Sequence, residues 1–269
     1  MMWEPERRTM TDAIRAAGAE ALRLAKAGFK TATKADRSPV TDADHAVNRL
    51  LHERLLGAFP DDGWLSEETP DTDSRLSKAR VWIIDPIDGT RAFMRGIPEF
   101  CISVALIERG DPVVAGVYNP STDELFTATR GAGIRLNDRP VDLPPAHTDL
   151  LMLVGTRELH MGRYKSIEPW VRCAPMRSIA FALALTAVGR VDATVTFERE
   201  NEWDLAAGTL LLSEAGGLVT DAAGRPLQFN RPQPMVTGMI AVAPQAQTRM
   251  LPVLEHVRRF MTDQKLTLP

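Results

Sequence analysis

Two acidic residues, three positions apart, follow a short apolar stretch near the middle of the chain. Asp85 and Asp88 lie in Val-Trp-Ile-Ile-Asp-Pro-Ile-Asp-Gly-Thr, residues 81–90. The apolar residues predict a short buried strand, and Pro86 predicts that it ends at Asp85 because proline cannot donate to a ladder. A strand that ends in two carboxylates suits a hard cation such as Mg²⁺, which prefers oxygen ligands. Asp-Pro and Asp-Gly are also common turn sequences, so a plain turn is the alternative interpretation.

Other acidic residues stand where predicted elements begin or end. Glu67 follows a predicted strand at 64–66, Asp44 lies in the first turn of a predicted helix, and Asp204 is placed at a helix N-terminus. Thr41 or Asp42 is the expected N-cap of the helix that contains Asp44, and a carboxylate at Asp44 suits the helix dipole. An N-cap role likewise explains Asp204 without any further function. The alternative is that Asp204 completes a metal cluster with Asp85 and Asp88. The histidines lack zinc-type spacing, and no nucleophile elbow, dinucleotide fingerprint or P-loop is present.

The composition excludes several classes of protein. The chain has 269 residues, of which 44% are hydrophobic, and this is enough for a sizeable core. Its net charge of −3 and the lack of a basic tract argue against a nucleic acid polymer or a membrane as partner. Two cysteines, Cys101 and Cys173, are too few for a disulfide scaffold. Together with the lack of a signal-like apolar run, they predict a cytoplasmic protein.

Apolar periodicity predicts the elements that must position the acids. A first helix, capped at Thr9 or Thr11, is expected to end at Gly28, and a second to run from Thr41 to Phe59. Residues 29–40, which include Lys34, and residues 69–80 are expected to be loops, the latter mobile. Strands near 100–107, 112–118 and 124–129 are spaced as an antiparallel meander.

A proline-rich stretch, residues 140–147, is the candidate domain boundary. It divides the chain into an N-terminal α+β part, residues 1–145, and a C-terminal α/β part, residues 146–269. The second part shows strands near 150–154, 192–197, 218–220 and 239–243, which alternate with helices near 178–189, 204–215 and 245–260. Such alternation is typical of an α/β arrangement.

Several motifs together resemble the inositol monophosphatase superfamily. They are Glu67-Glu68, Trp82 to Thr90, Trp203-Asp204-Leu-Ala-Ala-Gly and Glu214-Ala-Gly-Gly, and the resemblance extends from about Thr9 to residue 243. It implies a layered αβαβα sandwich of mixed α+β and α/β character. It also implies hydrolysis of a small phosphate monoester that depends on two or three Mg²⁺ ions.

The resemblance also implies roles for individual residues. Asp44 and Thr90 would orient the attacking water, and the Gly89 and Thr90 amides would hold the phosphate. Arg177 stands where the family usually has glycine, so it is either a substrate contact or a surface arginine. The implied metal ligands are Glu67, Asp85, the Ile87 carbonyl, Asp88 and Asp204. The candidate substrate contacts are Lys34, Gly89, Thr90, Arg157, Arg177 and Ser178.

The substrate and the class of protein have alternatives at this point. The expected substrate is myo-inositol monophosphate or a similar polyol or sugar phosphate. Glu202 and Arg91 resemble features of the bisphosphate nucleotidase and histidinol phosphatase branches, which are the alternatives among enzymes. A regulatory binding protein with the same fold is the non-enzyme alternative, against which the complete set of acids argues. A homodimer is left open.

Overall fold

The computed structural model describes residues 2–263. The helices are α1 (Glu4–Ala27), α2 (Asp42–Ala58), α3 (Thr90–Met94), α4 (Thr156–His160), α5 (Ile179–Ala187), α6 (Glu202–Ala215) and α7 (Gln247–Asp263), with 3₁₀ turns at Asp73–Ser77 and Pro244–Ala246. The strands are β1 (Thr31–Thr33), β2 (Pro39–Thr41), β3 (Gly63–Ser66), β4 (Arg80–Asp88), β5 (Cys101–Glu108), β6 (Asp111–Asn119), β7 (Glu124–Thr129), β8 (Ile134–Leu136), β9 (Arg139–Pro140), β10 (Leu151–Gly155), β11 (Arg172–Met176), β12 (Ala193–Asn201), β13 (Leu218–Asp221) and β14 (Met235–Val242).

Two large sheets form the frame of the molecule. The first has seven strands in the order β3-β4-β5-β6-β7-β8-β9, in which β3 and β4 are parallel and the later pairs are antiparallel. The second has five strands in the order β11-β10-β12-β14-β13. The predicted antiparallel meander is therefore present as β5, β6 and β7.

The sheets and helices alternate in layers. Along β4, Trp82 and Ile84 pack with α1 and α2, whereas Val81 and Ile83 pack with α5 and α6, because successive side chains of a strand point to opposite faces. The other face of the α5–α6 layer meets the five-stranded sheet, and α7 covers the far side of that sheet. This is the predicted αβαβα sandwich.

The structure corrects the expectation for the end of the β4 strand. The strand does not stop at Asp85 but pairs with β5 as far as Asp88, opposite Cys101. The register shifts between Asp85 and Asp88, and Pro86 lies in this irregular stretch. A bulge leaves residues out of the ladder, so proline is tolerated there. The bulge therefore presents both carboxylates at the end of the strand.

Other boundaries also differ from the expectation. Helix α1 begins at Glu4, not near Thr9, because Pro5 suits a first turn and Glu4 suits the N-terminal dipole. Strands β1 and β2 form a hairpin within the stretch expected to be a loop. Helix α4 and strand β11 were not predicted.

Residues from both sides of the predicted 145/146 boundary share one apolar cluster. Ile83 and Ile107 lie in it together with Leu183 and Leu211. The division into two parts stays a prediction. Among the described residues, no helix has the length and apolar composition needed to cross a membrane.

Candidate metal centre and active site

Three of the predicted acidic residues meet at the end of β4. Asp85, Asp88 and Asp204 each place a carboxylate oxygen within 4.8 Å of the others. The bulge of β4 supplies the first two, and the first turn of α6 supplies Asp204, as the third residue of the helix and not as its N-cap. Oxygens at this separation can share a hard cation.

Asp88 is held by the beginning of helix α5. Its Oδ2 accepts hydrogen bonds from Ser178 Oγ and from the Ala180 amide, each at 2.7 Å. Ser178 also caps α5, because its Oγ accepts a bond from the Phe181 amide at 3.1 Å. The buried Ser178 hydroxyl is thus engaged by the protein, and its role as a substrate contact stays a prediction.

Asp85 and Asp204 also use one oxygen each for local hydrogen bonds. Asp85 Oδ1 accepts a bond from the Ile87 amide at 3.0 Å, and Asp204 Oδ2 accepts one from the Asn201 amide at 2.9 Å. Because a carboxylate has two oxygens, each side chain can be fixed by the chain and still offer an oxygen to a cation.

Burial and mutual repulsion make these carboxylates unusually basic. Burial raises the pKa of Asp88 to about 6, although its hydrogen bonds from Ser178 and Ala180 act in the opposite direction. The pKa of Asp85 is raised well above its usual value by burial and then by repulsion from Glu67 and Asp88. The pKa of Asp204 is raised for the same reasons. A bound cation would relieve this repulsion.

Asp44 and Thr90 are brought together from distant parts of the chain. Thr90 Oγ lies 3.2 Å from Asp44 Oδ1 and 3.1 Å from the Ile87 carbonyl. Asp44 Oδ2 accepts bonds from the Thr41 amide at 2.7 Å and from Thr41 Oγ at 2.6 Å, and this pair caps α2. Burial raises the pKa of Asp44 despite these bonds. The predicted cap and the predicted Asp44–Thr90 pairing are therefore both present in the geometry.

Glycine is required at position 89. Its φ of +92° lies in the left-handed region. A Cβ atom there would also lie 2.9 Å from the Glu99 carbonyl oxygen and 3.2 Å from that of Arg177. The backbone between Asp88 and Thr90 can therefore approach its neighbours closely only without a side chain.

Glu67 lies beside the cluster but is paired with a lysine. Lys34 Nζ is 2.7 Å from Glu67 Oε1 and 2.5 Å from Glu68 Oε1. Burial alone would lower the pKa of Lys34, but the two carboxylates outweigh it and the pKa is raised. Glu68, whose side chain is 4% exposed, belongs to the Glu67-Glu68 motif and binds Lys34 as well. Lys34 thus partly balances the acidic end of β4.

The two candidate arginines lie in ion pairs. Arg177 Nη1 is 2.7 Å from Glu99 Oε2, and Arg157, which is largely exposed, is 3.5 Å from Glu198 Oε1. Arg177 directly precedes Ser178, whose hydroxyl binds Asp88. Both arginines as substrate contacts stay predictions.

Glu200 is an acidic residue with a raised pKa that no sequence motif indicates. Burial and then repulsion from Glu158 and Asp88 raise its pKa to about 8, against a hydrogen bond from Thr196 Oγ at 2.8 Å. Its negative charge also contributes to the raised pKa of Asp204. The alternating acids at 198, 200 and 202 were a visible signal, but their burial was not.

Comparison with known proteins identifies the class. The sequence matches the inositol monophosphatase family over residues 2–259. An inositol-1-monophosphatase of Rhizobium meliloti is 41% identical over 202 residues, which cover 70% of this chain and 75% of the relative. A Nus factor SuhB of Vibrio cholerae is 34% identical over 227 residues, 79% of this chain and 84% of that protein. The solved inositol monophosphatase of Thermotoga maritima matches this structure with a TM-score of 0.80 at 27% sequence identity. The match covers 93% of this chain and 96% of that structure.

The chain therefore belongs to the inositol monophosphatase family. Members of this family are phosphatases that act on phosphate monoesters, so the prediction of a phosphoric monoester hydrolase is confirmed. The family depends on a metal ion, and the carboxylates of Asp85, Asp88 and Asp204 lie close enough together that they could hold one.

Proposed function

We propose that this protein hydrolyses the phosphate monoester of a small polyol or sugar, with myo-inositol monophosphate as the first candidate. The observation that carries the proposal is the meeting of Asp85, Asp88 and Asp204 within 4.8 Å. The Asp44–Thr90 pair beside them supports it. The name of the Rhizobium relative supports the choice of substrate.

The donor set fits Mg²⁺. It consists of carboxylates, and the raised pKa values of Asp85 and Asp88 indicate negative charge without a matching cation. Glu67 and the Ile87 carbonyl are the further proposed ligands, in a site for two or three ions. Bound Mg²⁺ would neutralise the phosphate, favour deprotonation of water and stabilise the leaving oxygen.

The residues Asp44 and Thr90 would move the proton. A water that attacks phosphorus gives a proton to Thr90 Oγ as the hydroxyl proton of Thr90 passes to Asp44 Oδ1, 3.2 Å away. Burial raises the pKa of Asp44 and so makes it a better base than an exposed aspartate. The amides of Gly89 and Thr90 are proposed to hold the phosphate.

Bisphosphate nucleotidase and histidinol phosphatase activity are the alternatives to the proposed activity. Glu202, which suggested a bisphosphate nucleotidase, is fully buried under residues 230–231 and therefore does not support a direct substrate contact. Histidinol phosphate and a bisphosphate nucleotide belong in the same test as competitors.

The test measures phosphate release from inositol 1-phosphate, a 3′,5′-bisphosphate nucleotide, histidinol phosphate and fructose 1,6-bisphosphate. We expect activity with Mg²⁺, its loss on chelation and its suppression by Ca²⁺, which is larger and accepts irregular coordination. Inositol 1-phosphate should be hydrolysed fastest. Full activity after exhaustive chelation would contradict the proposal, and so would an unaffected Asp85→Asn variant.

A cytoplasmic location and a homodimer stay predictions.

A further inference from the structure

A buried glutamate precedes Asp204 in the first turn of α6. Glu202 has no exposed surface. Its Oε2 accepts a hydrogen bond from the Asn230 amide at 2.6 Å, and its Oε1 accepts bonds from the Arg231 amide at 3.1 Å and from Arg231 Nε at 3.3 Å. Both oxygens therefore bind the loop at residues 230–231, which fixes the beginning of the helix that carries Asp204.

The same loop holds a second buried charge. Asn230 has φ +58°, and its side-chain Oδ1 accepts a bond from Arg75 Nη1 at 2.6 Å. The Arg231 carbonyl accepts a bond from Arg75 Nη2 at 2.9 Å. Arg75 is 1% exposed, although the segment around it was expected to be a mobile loop.

Arg75 links the loop at residues 230–231 to the segment that follows Glu67. Its Nε and Nη2 donate to the two oxygens of Asp71 at 2.7 and 2.8 Å. Asp71 lies four residues after Glu67. Between them, Thr69 Oγ accepts a bond from Asn48 Nδ2 at 2.9 Å, so the segment is anchored to α2 as well.

These contacts form one continuous polar connection between two acid-bearing segments. Its members, here called the Glu202–Arg75 brace, are Glu202, Asn230, Arg231, Arg75 and Asp71. The charges of its two acids and two arginines cancel. Glu202 and Arg75, the two buried members, have few alternative partners in such a balanced network, so it fixes the relative position of the segments that it joins.

We propose that Glu202 and Arg75 are positioning residues for the metal site, which hold Asp204 and Glu67 at the separation that a shared Mg²⁺ site needs. The inference rests on the proposed function, because it assumes that Glu67 and Asp204 bind metal. Neither Glu202 nor Arg75 is among the proposed metal ligands or substrate contacts.

The chain offers a matched control on the same helix. Glu214 also accepts two backbone bonds with its two oxygens, from the amides of Gly131 at 2.8 Å and Gly133 at 2.9 Å. It lies ten residues after Asp204, or about 15 Å along the helix. Glutamine keeps the volume of glutamate but has one acceptor oxygen, so Glu202→Gln and Glu214→Gln each break one arm of a comparable contact.

The test titrates Mg²⁺ into the metal-free protein by calorimetry and records its thermal unfolding. We expect Glu202→Gln to weaken Mg²⁺ binding by about 10-fold, the lower end of the effect of residues that orient metal ligands. Glu214→Gln should bind Mg²⁺ like the wild type and should lose less thermal stability than Glu202→Gln, because Glu214 is less buried. Arg75→Lys removes the planar fork and should reproduce the Mg²⁺ effect, and the double variant should add little to either single one.

Equal Mg²⁺ affinity in Glu202→Gln and Glu214→Gln would overturn the inference and leave the proposed function intact. If Glu202→Gln does not fold, Arg75→Lys decides the question against the same control. A wild-type protein that binds no Mg²⁺ would overturn the proposed function itself, and the brace with it.

Discussion

The two ends of strand β4 carry charged clusters of opposite character. At its start, Arg80 donates to both oxygens of Asp62 at 2.8 and 2.9 Å and to Glu6 at 2.7 Å. Trp82 Nε1 adds a bond to Asp62 at 3.0 Å. At its end, Asp85 and Asp88 meet Asp204, and within residues 2–263 none of these three pairs with a basic side chain.

The two clusters differ in whether the chain itself balances their negative charge. At the start of β4, a guanidinium and an indole N–H satisfy the acids, so the cluster needs nothing from outside the chain. At its end, burial and repulsion raise the pKa values of Asp85 and Asp88 more than local hydrogen bonds lower them, and no ion pair to a basic side chain reaches either carboxylate within the described residues. Buried charge left unbalanced in this way is typical of a site that binds a partner.

The largest difference between the two ends of β4 should appear in the turnover of Thr90→Val. Valine keeps the β-branch and nearly the volume of threonine but lacks the hydroxyl. If the hydroxyl passes a proton to Asp44, turnover should fall by about 10²–10⁴-fold while thermal stability changes little. Asp44→Asn should have a similar effect, and the double variant should be little worse than either single one. Turnover and stability are measured together, with Thr90→Ser as the active control. Multiplicative losses in the double variant would exclude a shared relay.

Asp88→Asn should reduce turnover by about 100-fold or more, since even the groups that orient metal ligands contribute about 10–100-fold. The asparagine carbonyl can still accept the bonds from Ser178 and Ala180, so the fold should survive. Because the change removes a repelled charge, metal-free unfolding should occur at an equal or higher temperature. A large fall in metal-free stability would instead identify Asp88 as a structural turn residue.

The acidic cluster should also give the metal-free protein a distinct pH dependence. The pKa of Asp88 rises from 3.8 to about 6 on folding, so its protonated form favours the folded state. Its contribution is fully present below pH 3.8 and is lost as the pH rises through about 6. Relative to Asp88→Asn, the wild type should lose at most about 3 kcal/mol of unfolding free energy across this window. Denaturant titrations of both proteins at several pH values measure this difference, and parallel curves would contradict it.

At the start of β4, Arg80→Met should lower the free energy of unfolding by at least about 2 kcal/mol, since a single hydrogen bond to a charged group contributes about 1.5–3 kcal/mol. It should leave Mg²⁺ affinity and the turnover of the folded fraction unchanged, because Arg80 lies at the opposite end of the strand from the acids. Chemical unfolding and a Mg²⁺ titration of the same preparation test both statements. A weakened Mg²⁺ affinity would show that the two clusters are coupled.

The sequence predicted well where the signal is local. The apolar stretches of β5 to β7 and the N-cap of α2 at Thr41 are decided by neighbours a few residues away, and both are present. The prediction of β4 failed at Pro86, because the partner strand β5 keeps the pairing beyond the proline. Local propensity gave way there to a bulge that depends on tertiary pairing.

Burial was the property that the sequence could not supply. Arg75 resembled a loop arginine, yet it is 1% exposed and joins Asp71 to residues 230–231, which are more than 150 positions away. In the sequence, Glu200 does not differ from its acidic neighbours. In the structure, burial raises its pKa to about 8. Arg157 and Arg177, by contrast, turned out to pair with nearby glutamates at the surface.

The sequence by itself determined the identity of the acids, the elements that carry most of them and the family to which the chain belongs, since these follow from residue types and short spacings. Only the tertiary structure decided which acids meet. Asp85 and Asp204 are 119 positions apart, and their approach depends on α6 packing against the seven-stranded sheet. It also decided that Glu67 pairs with Lys34 and that Glu202 is buried. The physical reason is that burial and repulsion depend on distances through space, which long-range packing sets.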